Sequence, residues 1–108
     1  MKFIVFVIDK LENPGTEYEM NEITRFNNKL RANNNWVMAA GISMAPEAKL
    51  IDFSLDKSVI KEGSLISGEL NYSGFWIISA ENVDDAISIT KEASKACNRA
   101  VEIRPFLN

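Results

Sequence analysis

Phe3-Ile4-Val5-Phe6-Val7-Ile8 is apolar at every position and is bounded by Met1-Lys2 on one side and Asp9-Lys10 on the other. Six consecutive β-branched or aromatic residues read as a strand. Successive side chains leave a strand on opposite faces, so an unbroken apolar run has to be covered on both. Gly74 to Ala80, GFWIISA, has the same character. The sheet that holds these two strands therefore needs cover on each side.

Helices account for one side. From Glu17 to Asn33, Ile23, Phe26 and Leu30 recur at helical spacing, with Glu22, Lys29 and Arg31 facing outward. Asn33-Asn34-Asn35 suits a helix stop, because asparagine tolerates left-handed backbone. Asn82 can cap a second helix running to about Ala96, with Asp84 and Asp85 in its first turn and Lys91 and Lys95 toward its end. Between the helices, Trp36 to Ile42 reads as a strand ended by the Gly41 to Pro46 region. Lys49 to Ser54 and Ser58 to Lys61 alternate around the turn Leu55-Asp56-Lys57 as a partly exposed hairpin. Glu62 to Ser73 reads as loop, and Val101 to Phe106 as a last strand that Pro105 places at an edge or an end.

The order β, α, β, hairpin, β, α, β predicts one α+β domain over residues 1–108, a plait with two helices on one face of an antiparallel sheet. Nothing in a chain of 108 residues is left to cover the other face. The expected solution is a homodimer in which two sheets pack face to face.

Composition narrows the function classes. The chain is 46% hydrophobic with a net charge of −3, one cysteine and no histidine. The core is large enough without disulfides. Cys97 lies among alanines of the second helix and reads as a small buried residue rather than a reactive thiol, since no histidine is present to serve as its base. A lone cysteine fits a reducing compartment, the first apolar run is too short for a secretion signal, and no stretch reaches the length of a membrane span. A cytoplasmic protein without membrane contact is expected. Scattered basic residues give no footprint for nucleic acid. No metal site is expected, because carboxylates alone would have to supply it and show no ligand-loop spacing. No cofactor is expected either, as there is no phosphate-cradling glycine loop.

A likeness spans nearly the whole chain. It runs from Met1-Lys2-Phe3 through Phe26-Asn27, Leu30, Ala39 to Ile42 and Lys49 to Ser54, then Gly63, Gly74-Phe75-Trp76-Ile77-Ile78 and Ala86, and ends on Glu102-Ile103-Arg104-Pro105. In these positions the chain resembles the YCII-related family, in the branch named for its D-G-P-F motif. The resemblance implies a ferredoxin-like fold that pairs into a dimeric α+β barrel. The departures bear on chemistry. Glu62-Gly63-Ser64-Leu65 stands where the family writes D-G-P-F, and Ile66-Ser67-Gly68-Glu69-Leu70 stands where it continues A-E-T-K-E. Ser43 stands where it often has histidine. The His–Asp acid–base pair that the resemblance implies for its suspected enzymes cannot form in a chain without histidine.

The remaining candidates are read residue by residue. Strand alternation puts Val101 and Ile103 on one face of the last strand and Glu102 and Arg104 on the other. If the first pair packs under the helices, Glu102 and Arg104 point into the dimer barrel, as ligand-orienting groups for a small polar or anionic molecule or as an ion pair stitching the sheet. Trp76 offers a flat wall for stacking, or is core. Asp9 lines the mouth of the same cavity or merely ends its strand, Ser43 is a further ligand-binding candidate, and Glu62 and Glu102 are the candidate acid–base carboxylates, Glu62 alternatively a solvated loop residue. Three functions follow: a small-molecule-binding or catalytically degenerate protein, a carboxylate-based isomerase or lyase acting on a small ring compound, and a regulatory protein of the sigma-factor-associated type that the resemblance suggests.

Overall fold

Strand β1 (Lys2–Lys10) pairs antiparallel with β5 (Leu70–Ser79) on one side and with β6 (Ala100–Pro105) on the other. Strand β2 (Trp36–Gly41) joins the far edge of β5, which gives the order β2-β5-β1-β6. Helix α1 (Glu17–Ala32) carries the chain from β1 to β2, and α2 (Val83–Cys97) carries it from β5 to β6. Each crossover skips one strand, so the result is an antiparallel α+β sheet of ferredoxin-like topology with two helices on one face, as expected. This computed structural model describes residues 1–66 and 68–107. Ser67, one of the altered motif positions, lies outside the described residues.

Local sequence explains the helix ends. Thr16 accepts from the Glu19 N–H and Glu19 answers with a carboxylate oxygen on the Thr16 N–H, a reciprocal cap that satisfies two orphan donors. At the other end Asn34 takes φ 60°, and Asn35 donates its N–H to the Leu30 carbonyl. Asn82 caps α2 by accepting from the Asp85 N–H at 2.8 Å, and Asn98 ends it in left-handed backbone.

The helix-facing side of the sheet builds the core. Phe3, Val5, Trp76 and Ile78 are buried against Phe26 and Leu30 of α1 and Ala86, Ala93 and Cys97 of α2, with Val101 and Ile103 packed beside them. Phe26 meets the Trp76 ring edge-on at 5.4 Å.

The start of β5 differs from the sequence reading. β5 begins at Leu70, because Leu70, Asn71 and Tyr72 pair with Lys10, Asp9 and Ile8, so four residues expected in a loop are strand. The register steps from Val7↔Gly74 to Ile8↔Tyr72, which leaves Ser73 as the extra residue of a β-bulge. The expected hairpin is present with shifted strand ends: β3 (Lys49–Asp52) pairs with β4 (Val59–Glu62) in a separate two-stranded sheet, so Phe53, Ser54 and Ser58 fall outside the strands and Glu62 falls inside. Its tip is a tight turn at Ser54–Asp56, in which Leu55 and Asp56 both have positive φ.

This hairpin extends as an arm. The radius of gyration is 15.7 Å, against about 13 Å for a compact domain of this length. The shortest extent is only 18 Å, room for one sheet and one helical layer about 10 Å apart. Ile4, Phe6, Ile8, Phe75 and Ile77 lie on the sheet face away from the helices, and each remains partly exposed.

Gly74 faces β2 at close range. A Cβ there would lie 2.9 Å from the Ala40 carbonyl oxygen and 3.3 Å from the Gly41 Cα, both backbone atoms. Gly74→Ala should therefore push β2 off its partner and lower stability by about 1–3 kcal/mol, as overpacking does; urea unfolding checks it, and an unchanged midpoint would contradict the close approach.

Candidate functional site

A concavity lies between α1 and the β2–β5 half of the sheet, on the helix side. Its origin is in the sequence. The positions facing α1 there are Ala39, Gly41 and Gly74, which reach too little to meet the helix. The void left is about 550 Å³, within the usual range for small-molecule sites. Trp76, Trp36, Ile23 and Met20 supply apolar walls.

One wall carries Asn27. Its Oδ1 accepts from the Trp76 indole N–H at 2.7 Å. An indole nitrogen only donates, so the amide orientation is fixed and the Asn27 NH₂ group faces elsewhere. That NH₂ has no hydrogen-bond partner among the described residues. At the α1 C-terminal side, the Arg31 guanidinium lies 4.0 Å from the centre of the Trp36 ring.

The opposite end is charged. Arg99 follows the left-handed Asn98 in the short turn between α2 and β6, which swings its side chain back under β1. Its Nε donates to Asp9 at 2.8 Å, Nη1 to Glu19 at 2.9 Å and to the Cys97 carbonyl at 3.1 Å, and Nη2 to the Asn13 carbonyl at 3.0 Å. Asn98 Nδ2 adds a bond to Glu19, and Asn13 Nδ2 one to Asp9. All three charged side chains are about 10% exposed. Two carboxylates against one guanidinium leave the cluster with one net negative charge.

These contacts set the protonation states. The Thr16 N–H, then Asn98 and Arg99, hold the Glu19 carboxyl at about 2. Burial pushes the Asp9 carboxyl up, but the bonds from Arg99, Asn13 and the Lys10 N–H outweigh it and keep it below its ordinary value. Both acids therefore stay ionised at neutral pH. A general base works best with a pKa near the operating pH, so neither is tuned for proton transfer. Burial pushes the Cys97 thiol up, which makes it a poor nucleophile as well as a buried one.

Of the residues singled out from sequence, Trp76 and Asp9 line this cavity, whereas Glu102 and Arg104 lie on the opposite face of the sheet. Trp76 is therefore not a wall for that pair. Glu102 and Arg104 form an ion pair with each other, Nε to Oε2 at 2.7 Å. Tyr72 donates its hydroxyl to Glu102 at 3.2 Å and stacks on Phe6 at 4.5 Å. Beside them is a second groove of about 460 Å³ lined by Ile8, Leu65, Ile66 and Tyr72. Ser43 is exposed beyond the end of β2, and Glu62 is exposed on the arm, paired with Lys49 at 2.8 Å. Among the described residues no group of three or more His, Cys, Asp or Glu could hold a metal ion, and no helix is long and apolar enough to cross a membrane.

Arg99, Glu19 and Asn27 were not anticipated. Glu19 had a local signal in the Thr16-x-x-Glu19 spacing, but that spacing specifies only a helix cap. No protein-family model matches the chain, and none of the curated proteins does.

The cluster predicts an acid response. Glu19 is depressed from its ordinary 4.5 to about 2, so its contribution is complete above pH 4.5 and disappears as the pH falls through about 2. Asp9 acts in the same direction. Urea midpoints should decline across that window, and less steeply in Glu19→Gln. At pH 7, Arg99→Met should lower the midpoint far more than Arg104→Met, because it leaves two enclosed carboxylates unpaired; equal effects would refute the cluster's structural weight.

Proposed function

We propose that this protein is a small-molecule-binding, catalytically degenerate relative of the YCII/DGPF type, whose ligand occupies the cavity between α1 and the sheet. The observation that carries the reading is the cavity itself: about 550 Å³, walled by apolar side chains and polar at two separated points. A ligand with an apolar body would fill it, presenting an acceptor to the Asn27 NH₂ group and a donor or positive edge toward Asp9 and Glu19. Acid–base chemistry is disfavoured by the missing histidine and by two carboxylates held in their charged form. The isomerase or lyase reading rests on Glu62 or Glu102, and both lie outside this cavity, paired with Lys49 and Arg104.

The partner that fits this reading is a second copy. The uncovered sheet face is apolar at its centre through Ile4, Phe6, Phe75 and Ile77, and pairing two such faces would bury them and close the groove around Glu102 and Arg104. Sedimentation at micromolar concentration should give about twice the 12.1 kDa of one chain; a single-chain mass would rule the pairing out.

Both tryptophans of the chain line the cavity, so the protein reports on its own ligand. Titration with 8-anilinonaphthalene-1-sulfonate should quench tryptophan emission by energy transfer. A cognate metabolite at a hundred times its dissociation constant should add about 2.7 kcal/mol, roughly 10 °C in melting temperature. Ala39→Phe places a ring in the cavity and should abolish both signals while circular dichroism is unchanged. Silence of the wild type toward the probe and a broad metabolite set, or full binding by Ala39→Phe, would defeat the assignment.

A further inference from the structure

We infer that the β3–β4 arm is a clasp that closes over the second copy of the chain in the dimer, an inference that rests on the pairing proposed above and extends it to a segment that reading does not use. The arm is apolar where a free hairpin would be polar. Ile51 and Ile60 are cross-strand partners, and both are more than half exposed, as is Phe53. Leu55 at the tip is 90% exposed in a left-handed conformation that bulky residues seldom adopt. The backbone at the tip thus presents a leucine to solvent at a position suited to asparagine or glycine.

Three observations point to a second copy as the occupant. The first is area: the chain exposes 7667 Å², whereas a compact monomer of its mass exposes about 6,000 Å². The surplus of about 1,600 Å² is roughly twice what one partner gives to an interface of standard size. Ile51, Phe53, Leu55 and Ile60 of the arm, each more than half exposed, contribute to that surplus. The second is continuity. Leu65, Ile66 and Leu70, at the arm's root, line one groove with Ile8 and Tyr72 of the sheet face, so arm and face form a single surface that a two-fold axis would use twice. The third is charge. Residues 49–62 carry three lysines and three acids, with Lys49–Glu62 and Lys57–Asp52 already paired, so an identical partner meets no net repulsion.

Leu55→Asn separates the clasp from folding, because asparagine accepts the left-handed backbone while removing the apolar tip. In sedimentation equilibrium, Leu55→Asn combined with Phe53→Ser should raise the dimer dissociation constant at least about tenfold with an unchanged unfolding curve at matched monomer fraction. A benzophenone amino acid placed at position 55 should cross-link two chains on irradiation. A wild-type dimer whose affinity is unchanged in the double variant, with no cross-linked dimer, overturns the clasp and leaves face pairing standing. A monomeric wild type overturns both.

Discussion

Arg99 ties together parts of the chain that no backbone ladder connects. Its guanidinium reaches the end of β1 through Asp9, the first turn of α1 through Glu19, the intervening loop through the Asn13 carbonyl, and the end of α2 through the Cys97 carbonyl. Four segments meet at one planar group whose donors are fixed in direction, a geometry lysine cannot supply. The consequence is positional: the N-terminus of α1 is held against the sheet, while farther along the same helix the short side chains of β2 and β5 leave it standing off. The cavity lies where α1, held by Arg99 at its N-terminal end and by Phe26 and Leu30 in the core, faces only the short side chains Ala39, Gly41 and Gly74.

The same cluster argues about function through charge. An ionised pair of acids beside an arginine is a stable electrostatic wall, suited to orienting a bound molecule and unsuited to exchanging protons with it. The aromatic and amide groups opposite suit the proposed binding role. Glu102 and Arg104, read from sequence either as ligand-orienting groups or as an ion pair stitching the sheet, form that ion pair and engage Tyr72 on the far side of the sheet.

Much of the fold was legible because its signals are local. The run Phe3 to Ile8, the spacing of Ile23, Phe26 and Leu30, the cap at Asn82 and the hairpin alternation each specify an element from neighbours in sequence. Strand alternation also separated Glu102 and Arg104 from Val101 and Ile103 correctly. The site was far less legible. Asp9, Glu19 and Arg99 become neighbours only after β1 and β6 pair and α1 docks, and none stands in a motif of its chemistry. Trp76 reads from sequence as a stacking wall or as core, and its pairing with Val5 puts it in the core on the helix side. The early start of β5 was hidden by Gly68, Asn71 and Ser73, residues typical of loops.

Ser73 has an effect larger than its side chain. From Gly74 onward the even-numbered residues of β5 turn toward the helices, and an uninterrupted strand would send Tyr72 the same way. One additional residue in the ladder reverses that phase, so the tyrosine ring emerges on the opposite surface, against Phe6. In the unshifted frame a phenol would stand beside Gly74, in the space now empty under α1. A single frame offset thus vacates one chamber and furnishes the other, so the hollow and the aromatic patch on the two sides of the sheet have a common origin in one irregularity of pairing.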